Sequence, residues 1–272
     1  MSGLLLLTVH SLKRVRTLVL SMGIVLAGFQ LILIVVARSI QKSGGFEALA
    51  TLLPPFVREL MGPSLAAFMS FPGIVSVGYF HLSVIGSLVA LSITLSTIPA
   101  SEIETGFIDL ILSRPLARHW IVTRTIVLVT LSMVVVLGLM LAGTWVGLET
   151  LAPKDIAWPS AKLILSLAIN LGLLMLCWGG VAMAIGCVSR RRSIAGGVAG
   201  LLALVTFLMD YVGLMWKPAE PAAWLSPFRY YRPFDLIMGS PLPPANLAVL
   251  GAVAVVGFVG AYVLFSRRDI SH

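Results

Sequence analysis

The stretch 125–148, TIVLVTLSMVVVLGLMLAGTWVGL, runs for 24 residues without a charged side chain. The hydrocarbon core of a bilayer is about 30 Å thick, and roughly 20 apolar residues in a helix cross it. The stretch also lacks the alternation of apolar and polar residues that marks the strands of a membrane barrel. It therefore predicts a membrane-spanning helix, and the rest of the chain has to be interpreted around it.

The remaining sequence repeats this pattern. Of 272 residues, 58% are hydrophobic and 11% are charged, with a mean hydropathy of +1.02, whereas soluble domains are about half apolar and a quarter charged. Six stretches can cross a bilayer: Leu18–Ala37, Ile74–Ile98, Thr125–Leu148, Leu163–Val188, Ile194–Trp216 and Ala245–Ser266. We therefore expect an all-α polytopic membrane protein in which residues 1–272 form a single transmembrane domain.

The basic residues are divided unequally between the connecting segments. If the spans alternate and the N-terminus is cytoplasmic, the cytoplasmic segments hold 11 of the 19 basic residues and a net charge of +7, against +1 outside. This asymmetry is typical of the positive-inside rule and predicts both termini in the cytoplasm. It accounts for the formal charge of +8 without nucleic acid, so we expect a cell-membrane protein whose basic segments meet lipid.

Three connecting segments have distinct predicted roles. Residues 1–17 are expected to form an amphipathic lead-in helix on the cytoplasmic surface. Residues 38–73 form a long outer loop, in which Pro54 and Pro55 break two short helical pieces. Residues 217–244 carry seven of the fifteen prolines and a dense aromatic cluster. We expect this last segment to dip into the interface or to cap the bundle from outside.

The spans contain pairs of small residues four positions apart, which let helix backbones approach closely. The pairs are Gly196/Gly200, Gly180/Ala184 and Gly257/Ala261. Such stripes can pack against another span of the same chain or against a second copy. We favour packing within the chain.

An acidic segment, SEIETGFIDLILSRP at 101–115, joins the second and third spans. Pro99 is expected to end the second span, and Ser101 and Glu104 have the spacing of a capping box. We therefore expect a helix at 101–113 lying along the cytoplasmic surface. The residues expected to face the cytoplasm are Glu102, Thr105, Gly106 and Asp109. Acidic side chains are not stabilised electrostatically beside anionic lipid. Their presence therefore favours docking to a basic cleft of a partner protein over an interfacial turn that only connects two spans.

The longer stretch SEIETGFIDLILSRPLARHWIVTRTI resembles the cytoplasmic loop of type 2 ABC exporter permeases, E-x-E-x-G-T-x-x-x-L-L-x-x-P-x-x-R, with Phe107 in place of the usual Thr. The resemblance implies a half-transporter whose 101–113 segment is a coupling helix. It also implies a separate ATPase subunit that binds ATP and Mg²⁺, and a second permease copy or a related permease. The ATPase-contact residues implied are Ser101, Glu102, Glu104, Thr105, Gly106 and Asp109.

The sequence lacks GxxxxGK[ST], HExxH and GxSxG, so we expect no ATP hydrolysis, metal site or enzymatic activity in this chain itself. Cys177 and Cys187 lie about 15 Å apart on one predicted helix and cannot pair. We expect both to be small core residues.

A few polar residues remain within the spans as candidates for a cavity or gate: His81, Asn170, Trp178 and Asp210. The alternative for His81 is a hydrogen-bonded interface histidine. The favoured alternative for Asp210 is an ion pair with Lys217, Arg229 or Arg232. A rival function, an ion- or proton-coupled secondary transporter, predicts several intramembrane carboxylates or broken helices, and an intramembrane enzyme predicts a paired catalytic constellation.

Overall fold

The computed structural model describes residues 2–43, 67–106 and 119–267. In these ranges there is no strand. The α-helices are α1 (Ser2–Lys42), α2 (Phe71–Phe80), α3 (Leu82–Ser96), α4 (Ile98–Glu104), α5 (His119–Leu151), α6 (Ala161–Val188), α7 (Arg192–Met215), α8 (Glu220–Ala223), α9 (Pro233–Ile237) and α10 (Pro244–Ser266). Within the described residues, 6 helical stretches are long and apolar enough to cross a membrane: α1, α2 with α3, α5, α6, α7 and α10. The predicted all-α membrane architecture is confirmed.

Helix α6 lies at the centre of the bundle. It packs against α3, α5, α7 and α10, and it is the most buried of the spanning helices that the structure describes. Helices α6 and α10 approach each other closely along a contact that we name the seam. A Cβ added to Gly180 there would lie 2.5 Å from the carbonyl oxygen of Ala254. A Cβ added to Gly257 would overlap the backbone of Gly180. Here the small residues pack helices of the same chain together, as expected.

Helix α1 differs from the sequence-based expectation. The separate lead-in helix predicted at 1–17 is instead continuous with the first span, since α1 runs unbroken from Ser2 to Lys42. No proline or glycine stands between Leu4 and Met22 to stop it. Most of the predicted outer loop, including Pro54 and Pro55, lies outside the described residues.

The bundle has two ends with different contents. At one end, a small cavity is lined by Arg14, Ser101 and Arg192. We name this end of the bundle the Glu102 end, after the residue that follows Ser101. At the opposite end Arg38 donates a hydrogen bond to the carbonyl oxygen of Leu151 at 3.2 Å, and we name this the Tyr231 end. The segments that the alternating topology assigns to one side of the membrane therefore lie together.

The second span is broken at His81, although the sequence predicted one helix over Ile74–Ile98. His81 has φ −58° and ψ 135°, so the amide of Ser83 turns to the Nδ1 atom of His81 at 3.3 Å. The hydroxyl of Tyr231 donates to the carbonyl oxygen of Tyr79 at 2.8 Å. The break thus leaves backbone groups that a ring nitrogen and a distant hydroxyl satisfy.

The proline-rich segment folds across the Tyr231 end as short helical pieces. Two 3₁₀ turns, Lys217–Ala219 and Pro227–Tyr230, alternate with α8 and α9, because its prolines favour first turns and prevent long helices. The ring of Phe228 lies 5.7 Å from that of Trp178 and 5.4 Å from that of Phe207. The aromatic cluster therefore anchors this segment to the helices.

Candidate coupling helix and adjoining cavities

Only the first part of the predicted coupling helix, residues 101–106, lies within the described part of the chain. Helix α4 spans Ile98–Glu104, with Pro99 in its first turn and Thr97 at its N-cap. Gly106 follows with φ +68°, a conformation that favours glycine. The second span ends at Ser96 with its C-cap at Thr97, two residues before Pro99, in agreement with the prediction that Pro99 ends it. The prediction that Ser101 and Glu104 form a capping box is wrong, because Ser101 lies inside α4 and the N-cap is Thr97. The remainder of 101–113, with Asp109, lies outside the described residues.

Glu102 does not face outward as predicted. Its side chain is 4% exposed, and Arg124, at the start of α5, is 2% exposed. The Arg124 Nη2 atom donates to both carboxylate oxygens of Glu102, at 2.9 and 2.7 Å. A buried charge needs such a partner. Glu102 therefore fixes α4 against α5 and presents no free charge to a partner protein.

Glu104 is exposed and makes a different contact. Its Oε2 atom accepts a hydrogen bond from the backbone amide of Arg192 at 2.9 Å, where the dipole of α7 favours a negative charge. The Arg192 guanidinium in turn donates to the carbonyl oxygen of Thr94, near the end of α3, at 3.0 Å. Ser101 and Gly106 are partly exposed, and Thr105 is exposed.

These contacts join α4 to several spans at once. It follows α3 directly, Glu102 holds it to α5, and Glu104 holds it to the first residue of α7. A displacement of α4 would reach all of these helices through short, directional contacts. We name this arrangement, α4 with the contacts of Glu102 and Glu104, the joint at the Glu102 end.

An apolar groove of about 640 Å³ lies between α3 and α7. Its walls carry no charged residue and include Gly86, Ala90, Gly196, Gly200 and Leu204. A Cβ added to Gly196 or Gly200 would meet no atom within 4 Å in the part of the chain that the structure describes. The expectation that this pair packs against another span of the chain is therefore wrong.

A second cavity, which we name the charged pocket, continues the groove at the Tyr231 end. It has a volume of about 360 Å³ and shares Leu82, Ile85, Phe207 and Phe228 with the groove. Its charged lining residues are Asp210, Arg229, Arg232 and Asp235.

The ion pair expected for Asp210 is not formed among the residues that the structure describes. Arg229 instead bonds Glu220 at 3.1 Å, and Arg232 lies 3.7 Å from Asp235. The Oδ1 atom of Asp210 is buried without a hydrogen-bond partner in the described residues. Asp210 thus lines a cavity, as its candidate role required.

The other cavity candidates lie elsewhere. His81 is exposed at the helix break, with its ring 5.5 Å from that of Phe29. Asn170 and Trp178 are 2% and 1% exposed, and neither lines the groove or the charged pocket. Cys177 and Cys187 are fully buried, as expected.

Three residues of these sites were missed in the sequence. Arg124 and Arg192 flank apolar runs, where a basic residue ordinarily signals only a membrane boundary, and Tyr231 sits in an aromatic cluster. Burial raises the pKa of the Tyr231 hydroxyl, which keeps it a neutral donor to Tyr79. These roles depend on proximity in the folded protein and not on sequence spacing, since Glu102 and Arg124 are 22 positions apart.

Comparison with known proteins agrees with this architecture. The sequence pattern of the family described as ABC-2 family transporter protein matches residues 57–270, from the predicted outer loop through the last span. No curated protein matches the chain. The match covers the joint at α4, the groove and the charged pocket, and it favours an ABC permease over an ion-coupled transporter. The chain is a multi-pass membrane permease and belongs to the ABC-2 family of transporter proteins.

Proposed function

We propose that this permease is one half of a dimeric ABC exporter and is driven by a separate ATPase subunit that docks at α4. The observation that carries the proposal is the joint at the Glu102 end. Glu102 and Glu104 connect α4 to α5 and α7, and α7 forms a wall of the groove. Closure of an ATPase pair against α4 would therefore change the width of that groove.

The groove supports the proposed role as one wall of a translocation path. Several residues on it are exposed, and Leu204 is 54% exposed. No described segment of the chain covers the open glycine pair on α7. In a dimer, a second permease would enclose this face and complete a path between the two chains. The resemblance to exporter permeases supports the outward direction.

Co-purification with the partner ATPase tests the docking site. Glu104 and Asp109 are changed together to Lys, and Glu102 is left intact because its burial would confound the result. We expect loss of the complex, or loss of ATPase stimulation by the permease, with normal membrane insertion. The matched control is Glu149→Lys with Asp155→Lys, two exposed acids at the Tyr231 end. A complex that survives the first pair of changes and keeps full transport would contradict the proposed docking site.

A further inference from the structure

Two residues that line the charged pocket each have a buried polar atom, of opposite charge, that makes no hydrogen bond. These are the Oδ1 atom of Asp210 and the Nε atom of Arg229, both without a partner among the described residues. The Arg229 side chain is only 10% exposed, and its Nη2 atom is engaged by Glu220. The Arg229 guanidinium carbon also lies 5.5 Å from the ring centroid of Trp224, so the charge itself has partners, but a buried donor or acceptor atom without a hydrogen bond is costly. A ligand that reaches both atoms would recover that cost.

The charges around the pocket balance one another. Asp210 and Asp235 oppose Arg229 and Arg232, and both arginines act electrostatically on Asp210. A purely anionic or purely cationic ligand would leave one of the unpaired atoms without a partner. The best-matched head therefore carries a positive and a negative group and has no net charge.

The groove indicates the chemistry and length of the part of the ligand that lies beyond the charged head. It is apolar and shares four lining residues with the pocket, and both volumes fall in the usual range of ligand sites. From Asp210 to Gly196 the α7 axis extends about 21 Å. This length matches an alkyl chain that follows the groove away from a polar head.

We propose that the charged pocket and the groove together bind a zwitterionic amphiphile. Its cationic group lies against Asp210, its anionic group lies against Arg229, and its alkyl chain lies between α3 and α7. The identification of this molecule as cargo rests on the proposed function, whereas its binding does not.

The test uses the full-length permease alone, purified in a neutral maltoside detergent, so that failure of ATPase coupling cannot affect it. Lysophosphatidylcholine is titrated and adducts are counted by native mass spectrometry, with the thermal unfolding midpoint as a second readout. An alkyl phosphate and an alkyltrimethylammonium of the same chain length serve as the anionic and cationic probes. We expect the zwitterionic probe to bind most tightly and to raise the midpoint.

Point variants assign the head-binding atoms. Asp210→Asn and Arg229→Gln are each expected to weaken lysophosphatidylcholine binding at least tenfold. Asp155→Asn and Lys154→Gln, which alter exposed charges outside the pocket, are expected to leave binding unchanged. Equal binding by Asp210→Asn and Arg229→Gln, or tighter binding of either singly charged probe, would overturn the proposal.

A groove variant tests the chain-binding part without touching a charge. Gly200→Leu introduces bulk where a Cβ has open space, and it should abolish lysophosphatidylcholine binding while the protein still folds. Gly251→Leu on α10, where a Cβ also has open space, is the matched control and should bind normally. Retained binding in Gly200→Leu, or a dimer that excludes the probe from the groove, would contradict the proposal. These variants decide the outcome even if Arg229→Gln fails to fold.

Discussion

Small-residue pairs with the same four-residue spacing behave in opposite ways in this protein. On the α6–α10 seam, Cβ atoms added to the glycines of Gly180/Ala184 and Gly257/Ala261 would run into backbone. Cβ atoms added at Gly196 and Gly200 on α7 would meet none of the described residues within 4 Å. A small residue every fourth position is therefore compatible with a closed seam and with an open groove. The spacing indicates a smooth helix face but does not identify its neighbour.

The difference arises one position earlier along α7. Ala195 and Ala199 have the same four-residue spacing and are both 0% exposed. One residue corresponds to a rotation of about 100° on a helix with 3.6 residues per turn. The alanine stripe is therefore packed into the bundle, and the glycine stripe faces the groove. At the seam, α6 and α10 are closely packed, whereas at the groove one face of α7 is left open.

The largest expected loss of stability follows from the ion pair between Glu102 and Arg124, which fixes α4 to α5. Glu102→Ala leaves the buried Arg124 without its partner, and we expect the free energy of unfolding to fall by about 3–5 kcal/mol. Chemical unfolding of the purified permease measures this. Exchange of the two charges, Glu102→Arg with Arg124→Glu, should recover part of the loss. If the single variant is as stable as the original protein, the pair does not hold α4.

A smaller loss is expected at the seam. Gly257→Ala places a methyl group against the backbone of Gly180, and the strain should lower stability by about 1–3 kcal/mol. The unfolding midpoint of the purified protein reports the change. A midpoint equal to that of the original protein would mean that α6 and α10 are not in close contact.

The interrupted second span gives a third test. Tyr231→Phe removes the hydrogen bond to the carbonyl oxygen of Tyr79, and the expected loss of stability is about 1 kcal/mol. Tyr211→Phe, at a residue 50% exposed, is the control and should have no effect. Equal midpoints for these two variants would show that Tyr231 does not support the break at His81.

The smallest effect should have the opposite sign. Gly200→Ala adds its methyl group in open space, so it should gain about 0.5–1 kcal/mol from the lower flexibility of alanine in the unfolded chain. The substitution is the same as at Gly257, and only the surroundings differ. If both variants were destabilised equally, the contrast between seam and groove would not hold.

The spans could be predicted from sequence because the thickness of the bilayer sets their length and composition. The segment between the second and third spans could also be located, since acidic residues are rare in this chain. The partner of Glu102 could not be found, because Arg124 looks like an ordinary flanking charge until the fold brings the two together. The same limit applies to Asp210, because two of its three expected basic partners, Arg229 and Arg232, are engaged by Glu220 and Asp235.

The break at His81 had no strong local signal. Neither proline nor glycine occupies positions 79–83, and a histidine within an apolar run resembles an interface residue. The break is supported by Tyr231, which lies 152 positions from Tyr79 and satisfies its freed carbonyl oxygen. Departures from a regular helix that are stabilised by distant side chains cannot be read from periodicity.

The central claim is that ATP moves the groove and leaves the seam in place. Spin labels at Gly86→Cys and Leu204→Cys report the distance across the groove. Labels at Val188→Cys and Leu264→Cys, both exposed positions, report the distance across the seam. The native Cys177 and Cys187 are buried and are therefore shielded from labelling. Electron–electron distances are then measured in the complex with the partner ATPase, with and without ATP. The account predicts that ATP shifts the groove distance by several ångström and leaves the seam distance unchanged. An unchanged groove distance, or an equal shift at both places, would contradict it.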